Sequence, residues 1–331
     1  MERLKRIAKK MVANNKGILA ADESTPTCTK RFEKHQVEST SITRNNYRST
    51  LFSAIELENY ISGIILFEET FHQKLMNSDI PIPLFLKEKG ILTGIKVDTG
   101  AKLLANHNHE KITEGLDGLR ERLQVYKQKG ADFAKWRAVI TIGEQIPSKG
   151  CINANAHALA RYASLCQENG LVPIVEPEVL MNGNHTIQQC YQISDLVLNN
   201  VFEQLQLLNV DLESIVLKPN MILPGTGSQT KISNQEIADM TYQVLKKNVP
   251  KEVPGIAFLS GGQSSDLAAE RLNLLNSTYI HERPWKLTFS YGRALQEDAL
   301  FAWSQGDNSK TQHALINRAK MNYLASHGKL Q

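Results

Sequence analysis

A chain of 331 residues with 41 % apolar and 22 % charged side chains has the composition of a globular protein that can bury a large core without disulfide or metal staples. Its formal charge of +4, from 38 Lys and Arg against 34 Asp and Glu, is weak and dispersed, which suits a small anionic ligand and argues against nucleic acid as a partner. The four cysteines (Cys28, Cys151, Cys166, Cys190) form no C-x-x-C pair and read as reduced thiols of a cytoplasmic protein, and the longest apolar run, around Ile61–Phe67, is too short to span a bilayer.

At the start of the chain Leu4, Ile7, Met11 and Val12 share one helical stripe, which predicts a packed leading helix and not a secretory signal. Eight short apolar runs follow: 17–21, 61–67, 91–97, 132–136, 172–175, 215–218, 255–259 and 287–290. Most are apolar nearly throughout, the pattern of parallel strands covered on both faces. Amphipathic stretches lie between them. Leu116, Leu119, Leu123 and Tyr126 make a stripe closed by Gly130, and Leu159, Ala160, Ala163 and Cys166 make another that stops at Gly170. Ser233 with Glu236 three residues on has the form of a capping box. Strand and helix alternating eight times predicts an α/β fold, a (β/α)₈ TIM barrel over residues 1–331 as one domain; an open doubly wound sheet is the rival that periodicity leaves standing. Lys9-Lys10 and Lys246-Lys247 read as solvated helix faces, and His107 and His109 as parts of a polar loop with no metal-ligand spacing.

Charge collects at the C-terminal edges of these strands. Asp22 and Ser24 follow the first run, Lys96 and Asp98 the third, Lys135 and Arg137 the fourth, Glu176 and Glu178 the fifth, and Lys218 the sixth. An isolated charge buried in an apolar strand is expensive, so such a set must share a wet or mutually paired pocket, and the C-terminal rim is where barrel enzymes keep their chemistry. After the seventh run, Ser260-Gly261-Gly262 precedes a helix opening near Ser264. After the eighth, Ser290 is followed by Gly292-Arg293 at another helix start. Glycines let a backbone approach an oxyanion and helix N-termini offer it free N–H groups, so these two loops read as a phosphate site. Pro224-Gly-Thr-Gly227 lacks the lysine of a nucleotide P-loop and reads as a turn.

A lysine attacks a carbonyl only as the neutral amine, and neighbouring cations and desolvation favour that form. Lys96, Lys135 and Lys218 on one rim would supply the repulsion, with Glu176 and Asp22 as proton carriers. The combination points to Schiff-base chemistry on a phosphorylated ketose without metal or cofactor; spacing leaves open which lysine is the nucleophile.

At this point the motifs resemble a family. Gly17-Ile-Leu-Ala-Ala-Asp-Glu-Ser-Thr25, Gly94-Ile-Lys-Val-Asp98, Gly130-Ala-Asp-Phe-Ala-Lys-Trp-Arg137 and Val172-Pro-Ile-Val-Glu-Pro-Glu178 look like class I fructose-bisphosphate aldolases. So do Leu217-Lys-Pro-Asn-Met221, Phe258-Leu-Ser-Gly-Gly-Gln263 and Leu287-Thr-Phe-Ser-Tyr-Gly-Arg-Ala-Leu-Gln296, and the order holds along the chain. The resemblance implies reversible cleavage of fructose 1,6-bisphosphate to dihydroxyacetone phosphate and glyceraldehyde 3-phosphate, within glycolysis and gluconeogenesis, by a homotetramer. It implies Lys218 as the Schiff-base lysine, Glu176 as the acid/base for carbinolamine dehydration, Lys135 as the stabilising cation and Asp22 as acceptor of the proton from the hydroxyl beside the breaking bond, with Glu178 and Arg137 in support. One substrate phosphate would lie on Ser260, Gly261, Gly262, Gly292 and Arg293 beside Ser290, the other on Ser24, Lys30, Arg31 and Lys96.

The chain departs from the pattern twice. Pro26-Thr27 stands where the family usually has Gly-Ser, which implies a stiffer phosphate loop. Many members end in a tyrosine-tipped tail that assists proton exchange on the enamine, whereas this sequence ends Gly328-Lys-Leu-Gln331, which implies a slower enamine protonation step or its rescue by water or another side chain. Two other readings stand beside this one. A transaldolase-like or deoxyribose-phosphate-aldolase-like barrel takes a single phosphate and has no use for the second basic grip. A non-catalytic binding protein on the same fold would have lost one of Lys218, Glu176, Lys135 or Asp22, and all four are present.

Overall fold

A computed structural model describes residues 1–331. It contains ten strands: β1 (Gly17–Ala21), β2 (Ile61–Leu66), β3 (Leu92–Lys96), β4 (Gly100–Leu103), β5 (Lys111–Glu114), β6 (Phe133–Ile140), β7 (Val172–Val179), β8 (Val216–Leu217), β9 (Gly255–Phe258) and β10 (Lys286–Tyr291). Eight of them, all but β4 and β5, close into a parallel barrel in which β1 pairs with both β2 and β10. The closed ring excludes the open doubly wound sheet. Each apolar run of the sequence is one barrel strand, and most carry only buried residues, as expected where an outer layer of helices covers the sheet.

Two strands outrun their apolar stretches. β6 continues through Arg137 to Ile140 and β7 through Glu178 to Val179, in register so that Arg137 lies opposite Glu176. Opposite charges on neighbouring strands support the ladder there, and Ala138, Val139 and Ile140 beyond them are again buried and apolar. The antiparallel pair β4–β5 is an addition that the hydrophobic pattern does not announce, since its four-residue strands carry no apolar run and only one of their residues is buried. His107 and His109 lie in the loop that joins them.

Alternation along each strand divides the core in two. Ile18, Ala20, Ile65, Leu92, Phe133, Val172, Ile174, Val216 and Ala257 point into the barrel, where they meet Leu4, Ala8, Met11 and Val12 from the leading helix Glu2–Met11 and the residue after it. That helix stoppers the N-terminal mouth, leaving only the opposite end open for chemistry. The other strand residues, among them Trp136, Ile140 and Val175, face the helices in a larger continuous core.

Phe133 decides the packing inside the ring. An added Cβ at Gly94 would lie 2.1 Å from its ring, and one at Gly63 2.9 Å away, so both glycines are there to make room for it. Phe133→Ala would empty this space, which two glycines cannot refill. The expected outcome is a loss of about 3–5 kcal/mol in denaturant unfolding, and a loss below ~1 kcal/mol would show that the interior is not so tightly filled.

Helix ends follow local chemistry. The Ser233 hydroxyl accepts from the Glu236 N–H at the start of helix Asn234–Asn248, although the reciprocal half of the box is absent. Thr186 and Gln189 form a complete capping box at the start of Ile187–Leu207. Gly130 and Gly170 follow helix ends with φ of +102° and +72°.

Candidate active site

At the C-terminal ends of the strands a cavity of about 520 Å³ is lined by seven basic side chains and five carboxylates. A cavity of about 540 Å³ opens at the other end, between the leading helix and the segment Lys251–Pro254. None of its charged groups is buried, so nothing there perturbs a side chain toward reactivity.

The upper cavity holds a continuous row of buried charges. Strand alternation aims Lys135 of β6 inward two residues beyond Phe133, Glu176 of β7 two beyond Ile174, and Lys218 two beyond Val216. The Lys135 ammonium lies 2.7 Å from Asp22 Oδ2 and 3.3 Å from Glu176 Oε2. Glu176 Oε1 lies 3.3 Å from Lys218 Nζ. Lys135, Glu176 and Lys218 are all at most 4 % exposed. Glu176 Oε2 accepts no hydrogen bond despite its burial, leaving a lone pair open for a proton.

Burial is the largest influence on Lys218, Lys135 and Asp22, and the neighbours decide its outcome. Desolvation pulls the Lys218 ammonium below its ordinary pKa; Glu176 opposes this and Lys135 reinforces it. For Lys135 desolvation acts the same way, but Asp22 and Glu176 outweigh it and raise the pKa, so this lysine is a permanent cation. Burial resists ionisation of Asp22, yet Lys135, with Lys218 and Lys96 behind it, brings its carboxyl down to about 2. Two lysines on either side of β7 thus have opposite tendencies. The sequence pattern assigns the depression of the nucleophile to neighbouring cations together with desolvation; in the structure burial comes first, and Lys96 is held 2.8 Å from Asp98.

Asp22 carries a pH signature. Its folded pKa lies below the unfolded value, so the unfolded chain binds the extra proton, and the associated stability is complete above about pH 4 and is lost as pH falls toward 2. The expected contribution is about 2 kcal/mol. Wild type should lose that much more stability than Asp22→Asn between pH 5 and 2 in urea titrations; parallel curves would contradict the assignment.

On one side of this row Ser260, Gly261 and Gly262 follow β9. Gly261 and Gly262 have φ of +58° and +83°, a region that favours glycine, and their N–H groups donate to no backbone carbonyl. The next helix, Ser265–Tyr279, is capped by the Ser264 hydroxyl. Gly292 caps helix Arg293–Ser304 at the end of β10, and the buried Ser290 hydroxyl there has no hydrogen-bond partner. Arg293 lines the cavity and makes no ion pair within the chain. Free N–H groups, an unpartnered hydroxyl and an unpaired guanidinium make an oxyanion cradle.

Ser24, Arg31 and Lys96 also line the cavity, while Arg137 pairs with Glu178 on the wall. Arg31 pairs with Glu23, whose carboxylate also accepts from Gln296 at 3.0 Å and whose carbonyl accepts from the buried Arg48 at 2.6 Å. Pro26 is not in a loop as the sequence comparison implied. It occupies the first turn of helix Thr25–Glu33, where a missing N–H has no helical partner to lose. Lys30 is a correction. It is exposed and outside the cavity lining, because the helix presents residues 27, 31 and 34 to the cavity and turns residue 30 away. Thr27 and Lys34 line the wall in its place, and Thr27 Oγ1 lies 3.1 Å from Ser24 Oγ. Their i, i+4, i+7 spacing was the available signal for this face.

Comparison with known proteins places this geometry among relatives. A family model described as fructose-bisphosphate aldolase class-I matches residues 3–331. A Xanthomonas campestris pv. campestris protein named probable fructose-bisphosphate aldolase class 1 is 49 % identical over 99 % of this chain and 98 % of its own length. Fructose-bisphosphate aldolase C of Rattus norvegicus is 49 % identical over 98 % of this chain and 90 % of its own. A crystal structure of fructose-bisphosphate aldolase from Plasmodium falciparum, in a ternary complex with TRAP and a small-molecule inhibitor, superposes with a TM-score of 0.97 at 45 % identity, covering 100 % of this chain and 95 % of that one.

Proposed function

This chain belongs to the class I fructose-bisphosphate aldolase family and catalyses the reversible aldol cleavage of fructose 1,6-bisphosphate through a lysine Schiff base, and from that premise we propose the residues that carry the reaction. Lys218 is the nucleophile. Its amine adds to the substrate C2 carbonyl, and Glu176 hands a proton to the carbinolamine hydroxyl so that water leaves and an iminium forms. Asp22 then takes the proton of the C4 hydroxyl as the C3–C4 bond breaks and its electron pair moves into the enamine. Glyceraldehyde 3-phosphate departs. Protonation and hydrolysis of the enamine release dihydroxyacetone phosphate and return the free amine.

The observation that supports this reading is the opposite shift of two buried lysines on either side of one glutamate. The amine whose charged form burial disfavours is the one able to attack, and the permanently charged one is suited to hold developing negative charge. The low pKa of Asp22 makes it a weak base in the resting site. The iminium supplies the missing drive by acidifying the C4 hydroxyl. The cradle of Ser260–Gly262, Ser290, Gly292 and Arg293 takes the phosphate on C1, beside the ketone. The wall of Ser24, Thr27, Arg31 and Lys96 takes the phosphate on C6.

Borohydride reduction with dihydroxyacetone phosphate, followed by peptide mapping, tests the assignment. A stable adduct on Lys218, in an enzyme that keeps its activity in EDTA, is expected; an adduct confined to Lys135 or Lys96 would reverse the roles. A homotetramer and a cytoplasmic location are proposed with this reading, and light scattering of the purified protein checks the first. No helix of the chain is long and apolar enough to cross a membrane.

A further inference from the structure

We propose that Lys34 is a specificity-determining residue: the rim cation that meets the phosphate remote from the ketone and makes the enzyme prefer a bisphosphate to a monophosphate. The proposal rests on the reading above, in which the cavity holds one phosphate at each end.

It follows from which cations are already engaged. Of the seven basic side chains around the cavity, five face a carboxylate of the protein. Lys135 lies against Asp22 and Glu176, Lys218 against Glu176, Lys96 against Asp98, Arg31 against Glu23 and Arg137 against Glu178. Each of these must share or surrender a partner to grip a phosphate, and a surrendered partner is left as an uncompensated, largely buried charge. Only Arg293 and Lys34 make no ion pair and donate no hydrogen bond within the chain. Arg293 stands at the glycine cradle. Lys34 stands directly after helix Thr25–Glu33, on the same face as Thr27 and Arg31. Two uncommitted cations, one at the glycine cradle and one on the helix face that carries Thr27, match a ligand with two phosphates.

The site is also built to let Lys34 act with its neighbours. Arg31 is fixed by Glu23, which Gln296 and Arg48 hold in turn, so the helix face carrying residues 27, 31 and 34 is anchored to the barrel. Lys34 is exposed, with a flexible stem and three donors, and reaches the phosphate without disturbing that network. Its contribution is therefore open to screening by salt, whereas the buried groups are not.

The test is the ratio of kcat/KM for fructose 1,6-bisphosphate to kcat/KM for fructose 1-phosphate. Lys34→Gln should lower this ratio roughly five- to tenfold, and Lys34→Arg should restore most of it. The loss should shrink as salt rises from about 0.01 M to about 0.15 M, where the screening length falls from roughly 30 to 8 Å. Lys30→Gln makes the same charge change on the same helix but away from the cavity, and should leave the ratio where it was. If Lys34→Gln leaves the ratio unchanged, or if Lys30→Gln lowers it equally, the proposal is overturned. If the unmodified enzyme cleaves neither sugar, the reading beneath it fails instead.

Discussion

Lys218→Met should abolish bisphosphate cleavage, by at least about 10³-fold in kcat, while the protein remains folded. Methionine matches the length of the lysine stem and carries no charge, and the native site already disfavours the ammonium through burial, with the side chain only 4 % exposed. The substitution thus removes a group that the fold gains little from and the chemistry cannot do without. No neighbour can replace it, since Lys135 is held as a cation by Asp22 and Glu176. Steady-state assays together with borohydride trapping check this; a variant that still forms a reducible adduct and turns over would sink the assignment. Lys218→Arg is a useful companion, because a guanidinium cannot lose its proton and should be equally inactive.

Lys135→Met should damage stability and activity together. The ammonium sits between two carboxylates, and its removal leaves Asp22 without its nearest cation and Glu176 with Lys218 alone in a buried site. Breaking a buried pair from one side costs about 3–5 kcal/mol. The deficit has a sign that pH reveals. Without Lys135 the Asp22 pKa rises from about 2, so the variant can relieve its strain by taking up a proton that the native site refuses. The stability gap between variant and wild type should accordingly be widest near neutrality and narrow below about pH 4. Adding Asp22→Asn to Lys135→Met should recover part of the loss, a coupling that a double-mutant cycle measures directly. Turnover should fall by about 10²–10⁴-fold, the range for losing a group that stabilises charge or steers proton transfer. A single variant as stable as wild type at pH 7 would mean that the three charges do not depend on one another.

Much of this was legible in the linear chain. Runs such as Val172–Val175 and Gly255–Leu259 are apolar on both faces because helices cover the sheet outside and side chains fill it inside, so their period and length report parallel strands. The positions of Lys218, Glu176, Lys135 and Asp22 just beyond those runs were visible for the same reason: a charge two residues past an inward apolar residue points into the same interior. Glycines before helix starts marked the cradle at Ser260–Gly262 and Gly292, since close backbone approach and, at Gly261 and Gly262, positive φ are properties of the local backbone.

What the chain order could not carry is partnership. Periodicity says which way a side chain faces, but not which charge lies opposite it, because that depends on strand register and on loops that meet only when the ring closes. Closure placed Asp22 against Lys135, separated Lys135 from Lys218 by Glu176, and thereby gave two similar lysines opposite tendencies. It turned Lys30 to solvent and brought Lys34 and Thr27 to the cavity, since one residue along a helix is a rotation of about 100°. It also used the leading helix as a stopper for the barrel, a role that its apolar stripe permits but that only the shape of the interior assigns.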